Sequence, residues 1–274
     1  MKRAAYRAVY RSAVHLRARL EELERAHAEG FKVPALEEAR RSWSAENERL
    51  AAMASAHYEG RWGLRVPGVG PLNTVGLLGF VDPEAADTPS QVWRFAALDP
   101  APSPLRLTRR GQGSYSLAFR HLTRRILHNF LDPTLKPNPY GRLYRNRVRE
   151  LWQKNLEGGF VEKALRISSR YREGAAPHAW LSGRVHPEYV RKLRARGHLV
   201  PARLPAEALV GGHPMLPPFL IDAYAQRGTL RIFLEHYWEL AYLAFYGTRP
   251  VYPKGVYGRR YIPPLVRPEP FNRP

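Results

Sequence analysis

The sequence predicts a mostly α protein, with an N-terminal helical hairpin or coiled coil followed by a helical domain. Three observations carry that expectation. Apolar residues recur at three- and four-residue spacing along most of the 274 residues. Gly and Pro punctuate those segments at helix-sized intervals. No sustained alternation of apolar and polar residues marks a strand, and no internal repeat is evident.

Ala4 to Glu29 reads as one long helix, with Val9, Leu16, Leu20 and Leu23 in a thin apolar stripe and Gly30 as its C-terminal stop. Pro34 suits the first turn of a second helix reaching about Tyr58, its face marked by Leu36, Ala39, Trp43, Leu50 and Met53. Two helices of matched length on a short link bury two thin stripes most simply as an antiparallel hairpin. A homo-oligomeric coiled coil is the alternative, because the heptad is too irregular to choose between them. Gly60 to Val81 reads as a break, a glycine-rich turn and an apolar helix. Thr88 and Pro89 open a short helix to Leu98, and the alternating prolines at 100, 102 and 104 make a loop.

A helix is expected from Ser114 to about Leu131, with Leu117, His121, Arg124 and His128 on one side and Phe119, Leu122, Ile126 and Phe130 on the other. Prolines 133, 137 and 139 interrupt the chain before a basic helix over Tyr140–Leu156. Shorter helices follow, one from Gly158-Gly159 to near Tyr171 and one from His186-Pro187 to Arg196. Pro201 to Pro218 reads as loop, and Phe219 to Tyr246 as the strongest apolar helix, with Gly228 a point of interruption or kinking. The division expected is 1–59, 60–246 and a Pro/Tyr/Arg-rich tail over 247–274, which wraps the surface or stays partly disordered.

Charge narrows the partners. Lys and Arg number 44 against 24 Asp and Glu, a formal net charge of +20. Such an excess speaks of a polyanion, and the cations are mostly Arg, whose planar fork fits phosphate. A solubilising surface is the plain alternative. Residues 106–150 concentrate the excess, with eleven Lys and Arg and two acidic residues. Cysteine is absent, so neither a disulfide nor a thiolate metal site or nucleophile is available. The ten His form no recognisable ligand set, so no metal or cofactor is expected. No apolar run reaches membrane-spanning length and Met1–Tyr6 lacks the apolar stretch of a secretion signal, so the expectation is no membrane and a cytoplasmic or nucleoid-associated location.

The sharpest motif is Val66-Pro67-Gly68-Val69-Gly70, which reads as a helix-hairpin-helix turn. Gly68 and Gly70 allow a tight turn and close approach, Val69 anchors it in the core, and Thr74 is small enough for two helices to cross. The next helix starts near Pro71, and its unpaired amides offer a sequence-independent phosphate site. An ordinary tight interhelical loop is the competing reading. The motif lacks the Gly-Lys-Ser/Thr ending of a Walker loop. The expected nucleic-acid track is Arg65, Gly68, Val69, Gly70, Arg109, Arg110, Arg120, Arg124, Arg125, Arg142, Arg145 and Arg147. Trp93, Trp180 and Trp238 suit the core better than base stacking.

Several blocks together resemble the C-terminal part of the serine-type, RNA-guided insertion-sequence transposases. They are Val66–Pro71 continuing to Leu77-Leu78, Trp93–Pro100, Arg109-Arg110-Gly111 with the helix Leu117–Leu127, Asn138-Pro139-Tyr140 through Tyr144, and Arg231–Trp238. The helices before Gly60 resemble the coiled coil preceding that domain. The resemblance implies DNA binding. It also implies a two-part catalyst, with acids from a RuvC-like half and a nucleophilic serine from this half. This chain has no room for the RuvC-like half before its helical hairpin, and Ser103, Ser114 and Ser116 match no serine context of the family. The expectation is therefore a non-catalytic DNA-binding protein. A nuclease or strand-transferase using Asp82, Glu84 and Asp87 is one alternative, and an RNA-binding or structural subunit, with Tyr252–Tyr261 folding onto a partner, is another.

Overall fold

The computed structural model describes residues 3–98, 116–135, 137–173, 175–185, 187–197, 199–201, 212–251 and 262–271. Among them are eleven helices and no strand. They are α1 (Arg3–Ala28), α2 (Leu36–Ser55), α3 (Tyr58–Arg65), α4 (Gly70–Phe80), α5 (Pro89–Phe95), α6 (Leu117–Leu131), α7 (Pro139–Leu156), α8 (Val161–Ser168), α9 (Ala176–Leu181), α10 (Pro187–Ala195) and α11 (Pro218–Tyr246). The chain packs as two units, one of Met1–Tyr140 with Leu230–Pro274 and one of Gly141–Thr229. Packing thus divides the chain at other points than 59 and 246.

In the first unit α1 ends as its sequence predicts. Gly30 donates to the His27 carbonyl and Phe31 to that of Ala26, a Schellman closure. Across α1 and α2, Arg17 lies over the Trp43 ring at 5.5 Å and Arg40 pairs with Glu24 at 3.6 Å, while Tyr6 bonds His57 just past α2. Partners descend along one helix as they ascend along the other, the order that antiparallel neighbours produce. Between α2 and α3 the chain turns sharply: a β-carbon on Gly60 would stand 2.1 Å from the Ala54 carbonyl oxygen. The single second helix expected to Tyr58 therefore ends at Ser55, and a separate α3 follows.

α4 is the centre of this unit. Leu72 through Phe80 are all buried, and α1, α2, α3 and α6 pack around them. α1 comes so close that a β-carbon on Gly79 would lie 2.9 Å from the Arg7 backbone nitrogen. Phe80 stacks on Phe119 at 5.2 Å. A second aromatic group joins Phe130, Tyr140 and Phe233, with ring centroids 5.1–5.2 Å apart, and Trp62 stacks on Phe233 at 6.0 Å. The buried indoles of Trp180 and Trp238 are 0% and 2% exposed, so neither offers a face to a base.

The second unit centres on Asn155, fully buried on α7. Its amide donates to the Leu216 carbonyl at 2.9 Å and accepts from the Leu216 amide at 2.8 Å, tying an extended segment to the helix. Trp152 packs edge-on to Trp180, and its indole N–H donates to the Leu199 carbonyl at 2.6 Å. α9 has no strong sequence signal and was not expected. α11 runs unbroken through Gly228, which abuts the Arg147 guanidinium. Among the described residues no helix is long and apolar enough to cross a membrane.

Candidate nucleic-acid interface

α3 and α4 are joined by the Val66–Gly70 segment. Val66 and Val69 are buried, 1% and 2% exposed, and hold the turn to the core. The Val69 amide closes it on the Val66 carbonyl at 3.1 Å. Gly68 and Gly70 have φ of +88° and +66°, the left-handed region that side chains disfavour. Thr74 is buried and bonds the Gly70 carbonyl at 2.7 Å, and its methyl would stand 2.9 Å from a β-carbon on Gly63, so α3 and α4 cross closely.

Two asparagines hold the carbonyl side of the turn. Asn129, near the end of α6, donates to the Gly68 carbonyl at 2.7 Å. Asn138 donates to the Pro67 carbonyl, and its side-chain oxygen accepts from the Tyr140 amide at 2.8 Å, capping α7. The other side differs. Among the described residues no side chain caps α4, and a β-carbon on Gly70 would meet nothing within 4 Å. The start of α4 is thus open, with its positive dipole end uncapped by side chains.

α6 reaches this turn through Asn129 and carries Arg120 and Arg124 on another part of its circumference. Ser116 caps the helix by accepting from the Phe119 amide at 3.2 Å, which is the role of that serine here. Phe119, Leu122, Ile126 and Phe130 are buried, and Leu117, His121, Arg124 and His128 are exposed, the two sides their spacing predicts. Partial desolvation, then the nearby charge of Arg120, lowers the affinity of Arg124 for its proton. Arg125 is half-buried, and its Nη1 has no hydrogen-bond partner among the described residues.

The remaining expected residues are scattered among different surroundings. Arg65 is exposed at the end of α3 and meets Glu269 at 3.5 Å. Arg142 and Arg145 are exposed on α7 and Arg147 is half-buried against Gly228, all three in the second unit. Arg109, Arg110, Ser103, Ser114 and Tyr252–Tyr261 lie outside the described residues. Asp82 accepts from the Glu84 amide at 3.1 Å, a loop-capping role. Among the described residues no three His, Asp or Glu are gathered to hold a metal ion.

The C-terminal segment 262–271, which the sequence places only as a tail that wraps the surface or stays partly disordered, belongs to this region. It lies against α3 and α11: the Tyr58 hydroxyl donates to the Glu269 carbonyl at 2.8 Å, and the Trp62 indole to that of Val266 at 2.7 Å. His236 bonds the Ile262 carbonyl through Nε2 at 2.8 Å, so its Nδ1 accepts from the Tyr140 hydroxyl at 2.7 Å. Burial pushes His236 down to about 4. The Glu269 carboxylate reaches Arg61 at 3.2 Å as well as Arg65. Nothing local in the sequence links residues two hundred positions apart. Asn129 and Asn138 carried a weak signal, as polar residues beside helix ends. No family model, no curated protein and no solved structure matches this chain.

Proposed function

We propose that this chain is a DNA-binding protein that grips the phosphate backbone without reading bases, through the Val66–Gly70 turn and the basic face of α6. On this reading it is a non-catalytic relative of the C-terminal domain of the serine-type, RNA-guided transposases, working in the cytoplasm or on the nucleoid. The observation that carries the reading is the tie between turn and helix. Asn129, which holds the Gly68 carbonyl, follows directly on the exposed His128 and stands five and nine residues beyond Arg124 and Arg120 on the same helix.

The physical case has three parts. With the Pro67 and Gly68 carbonyls engaged by asparagines, the amide edge at the start of α4 is left for an anion. Arg124 and Arg120 stand back along α6 by about 7.5 and 13.5 Å from Asn129 at 1.5 Å per residue. At about 100° per residue they are turned about 140° and 180° around the helix from Asn129, so their charge adds to the positive field near the turn rather than lying in line with it. The net charge of +20 supplies long-range attraction for any such strand.

Fluorescence anisotropy with labelled linear duplex, branched DNA and hairpin RNA, over a salt series, tests the reading. Expected are binding to duplexes of unrelated sequence and a log affinity that falls linearly with log salt, as counterions are released. A flat salt series, or no duplex binding at low salt, overturns it. Tight binding to hairpin RNA alone replaces DNA by RNA as the partner.

A further inference from the structure

Arg61 and Arg65 sit one helical turn apart on α3, at the edge of the Val66–Gly70 turn. Both guanidinium groups converge on a single carboxylate, that of Glu269, at 3.2 and 3.5 Å. Two cations focused on one oxyanion is the arrangement that binds a phosphate. Each of the three side chains is a little under half exposed, so the site opens to solvent.

The backbone holds every member in place. Arg61 also donates to the Ser55 carbonyl at 3.2 Å, and lies 5.9 Å from the Tyr58 ring. Glu269 is presented by its own carbonyl, which accepts from Tyr58, and by the flanking Val266 and Phe271, bonded to Trp62 and packed on Tyr58. The carboxylate can therefore swing away while its segment stays docked. Exchange of one exposed anion for another costs little, because solvent screens an exposed ion pair.

We propose that Arg61 and Arg65 form a two-guanidinium site for a nucleic-acid phosphate, and that Glu269 occupies it in the free protein and is displaced on binding. The site rests on the proposed reading as a DNA-binding protein. It adds Arg61 to the interface and makes Glu269 an internal competitor: the protein gives up an intramolecular pair for an intermolecular one. Competition lowers affinity, and it also lowers the number of counterions released by about one, since the single carboxylate already neutralises one of the two positive charges.

The test compares the full chain with Glu269→Gln and with Glu37→Gln, which changes net charge equally at an exposed Arg40 pair on α2. Binding of a labelled duplex is followed by anisotropy over a salt series, with a melting curve for each protein. Glu269→Gln is expected to tighten binding by about twofold to fivefold at low salt. The log–log salt slope should steepen by about one, with the gain lost at high salt and lost again when Arg61→Ala and Arg65→Ala are added. Equal effects of Glu269→Gln and Glu37→Gln, in proteins with wild-type melting curves, overturn the competition while wild-type binding keeps the broader reading. A Glu269→Gln protein that melts early is replaced by Glu269→Ala with Arg61→Ala and Arg65→Ala, where an unchanged affinity relative to Arg61→Ala with Arg65→Ala supports the shared site and a gain overturns it. No duplex binding by the wild type overturns both.

Discussion

Gly68 and Gly70 share a positive φ but not their surroundings. A β-carbon on Gly68 would press on Asn129 at 3.2 Å and on Asn138 at 3.3 Å, whereas one on Gly70 would face open space. Gly70→Ala should then cost only the left-handed backbone penalty, about 1–2 kcal/mol, and Gly70→Asn less, because asparagine tolerates that region. Gly68→Ala should cost more than Gly70→Ala, since strain adds to crowding. Urea unfolding of the three variants checks the order, and equal costs at 68 and 70 would show that the asparagines do not constrain the turn. The motif was legible as a turn, because paired glycines around one apolar residue allow little else. Val69 was legible as its anchor in the core, but what holds its carbonyls was not, because Asn129 and Asn138 reach them from about 60 and 70 residues away.

His236 makes a second residue-scale prediction. Its folded value is about 4 against an ordinary value near 6.5, so between those two pH values the unfolded chain binds a proton that the folded chain refuses. His236 therefore costs no stability above pH 6.5, costs progressively more on acidification, and reaches its full cost below pH 4. The loss amounts to about 3 kcal/mol by the linkage constant. Buried Glu59 is shifted upward by desolvation, so its own contribution runs the other way and offsets part of the fall. Unfolding free energy measured from pH 7 to pH 4 should decline in the wild type and decline less in His236→Asn. Equal slopes would refute the assignment.

Among elements, α6 and the C-terminal segment behave oppositely. The two sides of α6 follow from sequence because a helical repeat sorts its own residues, whatever it packs against. Replacing Arg120 and Arg124 together by Ala should leave the melting temperature unchanged or slightly raised, since two like charges stand close, yet weaken duplex binding and lower the salt slope by about two. A drop in stability without loss of binding would mean that the face is structural. The segment 262–271 has no repeat to announce it. Removal of residues 262–274 takes away the acceptors of the Trp62 indole and of His236, at about 1–3 kcal/mol for each donor left buried. Hydrogen exchange should show α3 and the second half of α11 losing protection, and unchanged protection in both would refute the docking. α3 itself was hidden in the sequence, because its two glycines are poor helix formers and it exists to fit against Ala54 and Thr74.

At the scale of the whole molecule, one quantity drives two opposite salt effects. A formal charge of +20 repels itself in the folded state, so added salt should raise the melting temperature of the free protein while lowering its affinity for duplex DNA. Parallel melting and binding series check both signs, and a melting temperature that falls with salt would place the stabilising ion pairs above the repulsion. The helical class, the apolar helix that became α4 and the two-sided α6 were all decided by the sequence itself. Each depends on composition or on spacing within one element, and such properties survive any arrangement of the rest. The tertiary structure alone decided that the turn hangs from Asn129 and Asn138, that Arg65 meets a carboxylate on arrival, and that Arg147 packs against Gly228. Those outcomes depend on contacts between residues far apart in the chain, where a hydrogen bond or an ion pair forms only once packing has brought both partners within about 3 Å.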